Sequence, residues 1–232
     1  MDSLTQIALG GTLAAALVPA GHRRRALVYG AALGTLLDLD VLIHYGNPVA
    51  DFTYHRSFSH SLFVLSGLAP LLWWICGRFD AATRAEPWRW LLAFWLALVT
   101  HPLLDAMTIY GTQLLWPFDH TPYGVGSVFI IDPLYTLPLL VAMVWTARRP
   151  FSIGAQRSLP FALALSSVYL GWSALAQQHV EAHARQAIDD EQAELLALPS
   201  AFNTLLWRVL VREPGGYREA YLSLLVDQKP GP

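Results

Sequence analysis

Six long apolar runs, separated by short polar segments, occupy the first three quarters of the chain. They cover residues 4–20, 26–43, 62–79, 88–107, 134–147 and 159–176. Most approach the roughly 20 residues that an α-helix needs to cross a bilayer, although the fifth is shorter. The pattern predicts an all-α integral membrane helical bundle with about six transmembrane helices.

Charged residues become frequent from residue 177 onward. Residues 179–198 have the pattern of a charged amphipathic helix, whereas 203–211 and 217–226 have the alternation of two strands. Glu213-Pro214-Gly215-Gly216 predicts the turn between these strands. The sequence therefore predicts a small C-terminal α+β tail, an amphipathic helix plus β-hairpin.

Two domains follow from this change, a transmembrane bundle over 1–176 and the tail over 177–232. An isolated hairpin is only marginally stable in water. The tail is therefore expected to pack on the bundle, on an absent continuation or on another chain, which leaves a protein partner through the tail possible.

The composition supports a membrane protein and excludes some partners. Hydrophobic residues make up 54% of the chain and charged residues 14%, well below the roughly 25% of a soluble domain. The net charge is −2 and the arginines lie in short loops, so we expect no nucleic acid partner. The single Cys76 lies in an apolar run and predicts neither a disulfide nor a thiolate site.

Polar residues that could bind a metal or take part in catalysis cluster at the edges of the apolar runs. His55 and His60 flank Arg56 and two serines in the loop before the third run. Asp38 and Asp40 lie inside the second run, where each carboxylate costs about 2.5–3.5 kcal/mol on insertion scales. Residues two apart on a straight helix point to opposite sides, so both can converge only if the helix ends near residue 37.

The fourth run ends in a second polar pair. His101 and Asp105 are four residues apart and therefore share one helix face. His101 precedes Pro102, so hydrogen bonding to a carbonyl freed by the proline is an alternative explanation for it. Similarly, His55 and His60 could only bracket a loop at the membrane interface.

The distribution of arginine predicts the orientation. The loops after the first, third and fifth helices contain nine arginines, at positions 23, 24, 25, 78, 84, 89, 148, 149 and 157. The loops after the second and fourth contain only Arg56. Because Lys and Arg concentrate on the cytoplasmic side, the N-terminus, both long loops and the tail are predicted to be extracytoplasmic.

Helix rise places the polar groups in one layer. Asp38 lies 13 residues beyond Arg25 and His101 lies 12 beyond Arg89. At 1.5 Å per residue, both are roughly 20 Å from the inner face. Since His60 begins the third helix at the outer side, three segments are predicted to meet near the outer membrane face.

Imidazole and carboxylate ligands suit a divalent metal, with zinc as the first choice and manganese or iron as alternatives. A metal with an open position lowers the pKa of bound water to about 7, which is the chemistry of a hydrolase. The predicted ligands are Asp38, Asp40, His55, His60, His101 and Asp105. Asp38 and Asp40 are ligands or the general base.

Other residues are candidates for binding the substrate. An arginine beside a metal suits a phosphate or carboxylate oxygen, so Arg56 is a predicted catalytic and substrate-binding residue. Tyr110, Thr112 and Gln113 are further predicted substrate contacts, and Gln6 could add an oxygen to the site.

Five sequence motifs resemble those of the YdjM family. They are Asp-Ser-Leu-Thr-Gln at 2–6, Leu-Asp-Leu-Asp at 37–40, His-Arg-Ser-Phe-Ser-His-Ser at 55–61, Thr-His-Pro-Leu-Leu-Asp at 100–105, and Tyr-Gly-Thr-Gln-Leu-Leu-Trp-Pro-Phe at 110–118. The resemblance implies a multi-pass, metal-dependent hydrolase of the bacterial inner membrane. Many members carry His where this chain has Gln6, and Pro where it has Leu37. A more distant similarity, to zinc-dependent phospholipase C and P1-type nucleases, favours phosphate esters.

The sequence thus predicts a membrane-bound metal-dependent hydrolase whose His/Asp centre faces the periplasm or outside. Its water would attack an ester or phosphoester, in a membrane lipid or lipid-linked substrate, because the site opens at the headgroup layer. One alternative is a metal-binding or transport protein, although the apolar stretches 65–75 and 91–98 disfavour a permeation path. The other is a membrane interaction module that binds no metal.

Overall fold

The computed structural model describes residues 1–188 and 193–226 of the chain. The helices are α1 (Ser3–Leu17), α2 (Arg23–Leu36), α3 (Pro48–Tyr54), α4 (Leu62–Phe79), α5 (Ala82–Ala85), α6 (Pro87–Asp105), α7 (Pro133–Arg148) and α8 (Ile153–Arg185). Short 3₁₀ helices cover Ala20–His22, Leu37–Leu42 and Phe58–His60. The strands are β1 (Leu195–Pro199), β2 (Leu206–Glu213) and β3 (Gly216–Ser223).

Side-chain caps begin four of the long helices. The caps of α1, α4, α7 and α8 are Asp2, Ser61, Asp132 and Ser152, and each accepts a hydrogen bond from a backbone N–H of the first turn. Such caps satisfy N–H groups that have no partner within the helix. The polar residues that precede the apolar runs therefore fix where the helices start.

Glycines bring α1 and α2 into backbone contact. A Cβ atom at Gly30 would lie 2.1 Å from the carbonyl oxygen of Gly10, and one at Gly34 would lie 2.4 Å from that of Gln6. Only residues without a side chain permit this approach. The contact places the start of α1 beside the end of α2, where the candidate site lies.

The arginine-rich loops meet at the opposite end of the bundle. Arg23 donates to the carbonyl oxygen of Pro150 at 2.7 Å, and Arg24 to that of Ala147 at 2.8 Å. Arg25 lies 3.0 Å from Asp80, just beyond α4. One end of the bundle is therefore basic.

Within the described part of the chain, two helices, α4 and α8, are long and apolar enough to cross a membrane. The predicted number was about six. Helices α1, α2 and α7 contain 15, 14 and 16 residues. They measure about 21–24 Å, less than the roughly 30 Å of a hydrocarbon core. Helix α6 has 19 residues but includes Arg89, His101 and Asp105, which lower its hydropathy.

The tail differs from its prediction in two respects. The separate amphipathic helix predicted over 179–198 is wrong, because α8 continues through to Arg185 and β1 occupies Leu195–Pro199. The predicted domain boundary at 176/177 lies inside α8. Positions 189–192 and 227–232 of the predicted tail lie outside the described residues.

The predicted hairpin is present and gains a third strand. The antiparallel order is β1-β2-β3, with Leu195 opposite Val211 and Glu213 opposite Gly216. Trp207 is fully buried and belongs to a small core that includes Ala176 and Val180 of α8. The sheet thus obtains its packing partner within the chain, as a marginal hairpin requires.

The segment between α6 and α7 folds back onto the loop that contains His55 and His60. Gln113 donates its backbone N–H to the carbonyl oxygen of Arg56 at 3.0 Å, and Leu62 donates to that of Leu114 at 2.9 Å.

The same segment contains Asp119, whose carboxylate accepts hydrogen bonds from Thr121 and Tyr123. These hydrogen bonds, with those from Thr121 the larger cause, hold the pKa of Asp119 below its ordinary value.

Candidate metal centre

The end of α2 determines where two aspartates point. The α-helix stops at Leu36 and a 3₁₀ helix follows over Leu37–Leu42, which confirms the predicted break. Asp38 then lies beside His101 of α6, with 3.4 Å between Oδ1 and Nε2. Asp40 lies beside His55 and His60 instead.

Four side chains converge at the end of the bundle away from the basic loops. Asp38, His60, His101 and Asp105 each offer one ligand atom, and these atoms lie within 4.8 Å of one another. The side chains of His60, His101 and Asp105 are at most 1% exposed, whereas that of Asp38 is 21% exposed. The cluster is therefore buried except on the side of Asp38, which is partly exposed.

The orientation of His101 is fixed by a backbone carbonyl. Its Nδ1 lies 2.8 Å from the carbonyl oxygen of Gly34, near the end of α2. A carbonyl oxygen can only accept, so Nδ1 carries a proton, and in the neutral imidazole Nε2 keeps its lone pair. That lone pair faces the cluster, as the nitrogen of a metal ligand must.

A carboxylate and a hydroxyl fix His60 in a similar way. Its Nδ1 lies 3.3 Å from Asp40 Oδ2 and 2.9 Å from the hydroxyl of Ser59, which itself donates to Asp40 at 2.6 Å. The carboxylate favours a proton on Nδ1, and Nε2 of His60 is then free to coordinate.

The pattern of unsatisfied atoms fits a cation. Within the part of the chain that the structure describes, His60 Nε2, His101 Nε2 and Asp105 Oδ2 are buried without a hydrogen-bond partner. Both nitrogens lie 3.4 Å from Asp105 Oδ2. A tetrahedral zinc with bonds of about 2.0–2.1 Å keeps its ligand atoms about 3.3–3.4 Å apart. The spacing of these donors is therefore compatible with a divalent metal.

Asp40 and His55, both predicted as ligands, lie beside this group of four. Asp40 Oδ1 lies 2.9 Å from His55 Nδ1, and Asp40 Oδ2 accepts the backbone N–H of Arg56 at 3.0 Å. The His55 side chain is 22% exposed and faces the ring of Tyr110 edge-on, 5.6 Å away. Asp40 thus connects both histidines and Arg56.

The remaining predicted residues lie around the same cluster. Arg56 is 8% exposed, with Nε 3.3 Å from Asp105 Oδ2 and its guanidinium over the ring of Tyr110. Gln6 donates to Asp105 Oδ1 at 3.1 Å, so its amide nitrogen rather than its oxygen contacts the site. Thr112 and Gln113 are buried in the segment that covers Arg56.

Sequence reasoning missed several supporting groups, among them the buried α-amino group of Met1, which pairs with Asp105 Oδ1. Ser59 bridges Asp40 and His60, and Ser3 donates to Asp38 Oδ2 at 3.0 Å. The carbonyl of Gly34 orients His101. Ser59 could have been found, because it lies between His55 and His60 in the sequence. A backbone carbonyl gives no signal beyond the expected helix end.

Comparisons with known proteins agree with the motifs. The chain is 25% identical over 225 residues to the uncharacterized protein YfhP of Bacillus subtilis (strain 168), a match that covers 91% of this chain and 65% of YfhP. It thus spans slightly less than two thirds of that relative. No solved structure matches it. The family model described as YdjM inner membrane protein matches residues 1–180, which include every residue of the cluster. The chain belongs to this family of inner membrane proteins.

Proposed function

We propose that this protein is a membrane-bound hydrolase that depends on one divalent metal held by Asp38, His60, His101 and Asp105. The observation that carries the proposal is the convergence of three buried ligand atoms, His60 Nε2, His101 Nε2 and Asp105 Oδ2. Each nitrogen lies 3.4 Å from the oxygen, and none of the three atoms has a hydrogen-bond partner among the described residues. An ordinary buried polar network pairs such atoms, because each unpaired one costs about 1–3 kcal/mol.

Zinc is our first choice for the metal, with manganese or iron as alternatives. Two imidazoles and two carboxylates are borderline to hard ligands, and three of their separations, at 3.4 Å, match the edge of a zinc tetrahedron. When bound, such a cation supplies a Lewis acid that brings the pKa of water to about 7. Asp40 and Ser59 contribute by orienting His60, while Gly34 orients His101.

The substrate class follows from where the site opens. Side chains at and near the 3₁₀ helix of Asp38 and Asp40 are apolar yet exposed, with Leu39 51%, Leu42 73% and Val49 76% exposed. Such a surface is stable against lipid rather than water. We infer that the site faces the headgroup layer and acts on an ester or phosphoester of a lipid or lipid-linked molecule.

The orientation is part of the proposal. The basic loops lie at one end of the bundle and the His/Asp cluster at the other. Because basic loops remain on the cytoplasmic side, the cluster would face the periplasm or outside. Six helices, α1, α2, α4, α6, α7 and α8, would then form a multi-pass bundle, with local thinning or tilt compensating for the shorter ones.

A transport function receives less support. The layer beneath the cluster contains the buried apolar side chains of Leu65, Phe94 and Leu98. An ion pathway through the bundle would need polar groups at this depth. The cluster is therefore better suited to chemistry at one membrane face.

Metal content tests the proposal directly. Protein purified in detergent is analysed by mass spectrometry as wild type, His60→Ala, His101→Ala and His179→Ala, the last being a control at an exposed histidine of α8. We expect about one equivalent of metal in the wild type and control, and loss in both cluster variants. A screen of phospholipid and lipid phosphate hydrolysis follows. No stoichiometric metal after reconstitution, or equal metal in all four proteins, would contradict the proposal.

A further inference from the structure

Arg56 holds a buried positive charge against the proposed metal ligands. Its Nε lies 3.3 Å from Asp105 Oδ2, and its guanidinium carbon lies 4.8 Å from the centre of the Tyr110 ring. Among residues 1–188 and 193–226, neither Nε nor Nη1 has a hydrogen-bond partner. Nε is nevertheless ion-paired with Asp105, so Nη1 is the nitrogen that remains available for a ligand beside the cluster.

The backbone holds this side chain in place. Arg56 has φ of +61°, in the left-handed region that residues other than glycine rarely adopt. Its N–H donates to Asp40 Oδ2 and its carbonyl accepts from Gln113, both at 3.0 Å. Hydrogen bonds thus fix the backbone of Arg56 on both sides, and the ring of Tyr110 lies against its guanidinium. The side chain is therefore preorganised for a ligand.

The position of Arg56 distinguishes between substrate classes. If the metal acts at this cluster, a substrate group bound between Arg56 and the metal would be the reacting centre. At that centre a phosphoester already carries negative charge, whereas a carboxylic ester is neutral before it is attacked. A planar guanidinium can pair two N–H groups with two phosphate oxygens, which makes Arg a preferred phosphate ligand.

We propose that Arg56 binds an anionic phosphate oxygen at the reacting centre, which makes the substrate a phosphoester rather than a carboxylic ester. The proposal rests on the proposed function, since it takes the metal cluster as the reacting centre. It assigns Arg56 as the residue that determines this specificity, with Tyr110 positioning the guanidinium.

Inorganic phosphate is the first probe. Its binding to metal-loaded, detergent-purified protein is measured by calorimetry for wild type, Arg56→Gln, Arg56→Lys and Arg212→Gln, the last being a control on the exposed face of the sheet. Metal content is measured on the same samples. We expect Arg56→Gln to keep its metal and to bind phosphate about 10- to 100-fold more weakly. Arg56→Lys should fall between, because it keeps the charge without the paired N–H groups.

Two further probes define the ligand. Acetate replaces phosphate as a planar anion, and equal, Arg56-dependent binding of both would overturn the assignment to phosphate. Dihexanoylphosphatidic acid replaces it as a lipid. Tighter binding of this lipid than of inorganic phosphate supports a lipid phosphate as the source, whereas equal binding supports a phosphate group free of lipid.

The outcomes separate this proposal from the metal proposal. Unchanged phosphate affinity in Arg56→Gln with full metal content overturns the role of Arg56 alone. Wild-type protein that contains no metal would overturn the hydrolase proposal. The role of Arg56 is then tested separately, by measuring phosphate binding to chelator-treated wild type and Arg56→Gln. If Arg56→Gln does not fold, Tyr110→Leu removes the stacked ring and should weaken phosphate binding about fivefold, with Tyr110→Phe as its control. Unchanged binding in Tyr110→Leu would overturn the proposal.

Discussion

A single methyl group added to Gly30 should separate the two helices that form one side of the site. Its Cβ would lie 2.1 Å from the oxygen and 2.6 Å from the carbon of the Gly10 carbonyl, and 2.8 Å from the Cβ of Ala14. Carbon atoms normally approach to about 3.5–4.0 Å. Two of these three obstacles are backbone atoms, which cannot rotate away, so α1 and α2 must move apart.

The size of the effect can be worked out from two opposing contributions. Overpacking costs about 1–3 kcal/mol, and rigid backbone obstacles place Gly30→Ala near the upper end. Replacing glycine by alanine inside a helix gains about 1 kcal/mol. The net loss is therefore about 2 kcal/mol. Gly67→Ala in α4 is the matched control, because nothing lies within 4 Å of its Cβ. It should stabilise the protein by about 1 kcal/mol.

Unfolding in graded denaturing detergent measures both variants, and metal content is measured in parallel. Gly30→Ala should also bind metal more weakly, because α2 presents the Gly34 carbonyl that orients His101. Gly67→Ala should leave metal binding unchanged. Equal stability of the two variants would refute the close backbone contact between α1 and α2.

Two further substitutions test other parts of the structure. Asp40→Asn removes the charge that orients His60, and should reduce metal affinity about 10- to 100-fold in a chelator competition. Asp119→Asn is its control, and equal affinity in the two would contradict the role of Asp40. Trp207→Ala removes a fully buried ring between the sheet and α8, and should cost about 3–5 kcal/mol. Limited proteolysis should then cleave the tail faster than in Tyr217→Ala, a change at an exposed strand position, and equal cleavage rates would contradict the packing.

Much of the bundle could be predicted from the sequence, because apolar runs and their flanking polar residues act locally. The boundaries of α4 at Leu62–Phe79 match the predicted run, and the break before Asp38 follows from two carboxylates spaced two apart. His101 and Asp105 share a face because of their spacing. Such features depend on helix periodicity alone, which the sequence displays directly.

The sequence could not show which of the candidate His and Asp residues form the group of four. Asp40 and His55 have the same chemistry as the four clustered residues, and only the path of the 3₁₀ helices brings Asp38, rather than Asp40, towards His101. The strand at 195–199 was missed for a related reason. Its residues Leu-Leu-Ala-Leu have high helix propensity, and pairing with β2 overrides this preference.

Asp40 has a consequence for how this site can change over evolution. One carboxylate holds the imidazole of His60 and the backbone of Arg56, so the proposed metal ligand and the proposed phosphate contact share a support. Residues with a shared partner show interaction energies of about 0.5–3 kcal/mol in double-mutant cycles. Metal preference and substrate preference are then thermodynamically coupled. A lineage in which Asp40 is substituted would therefore change its metal preference and its substrate preference together.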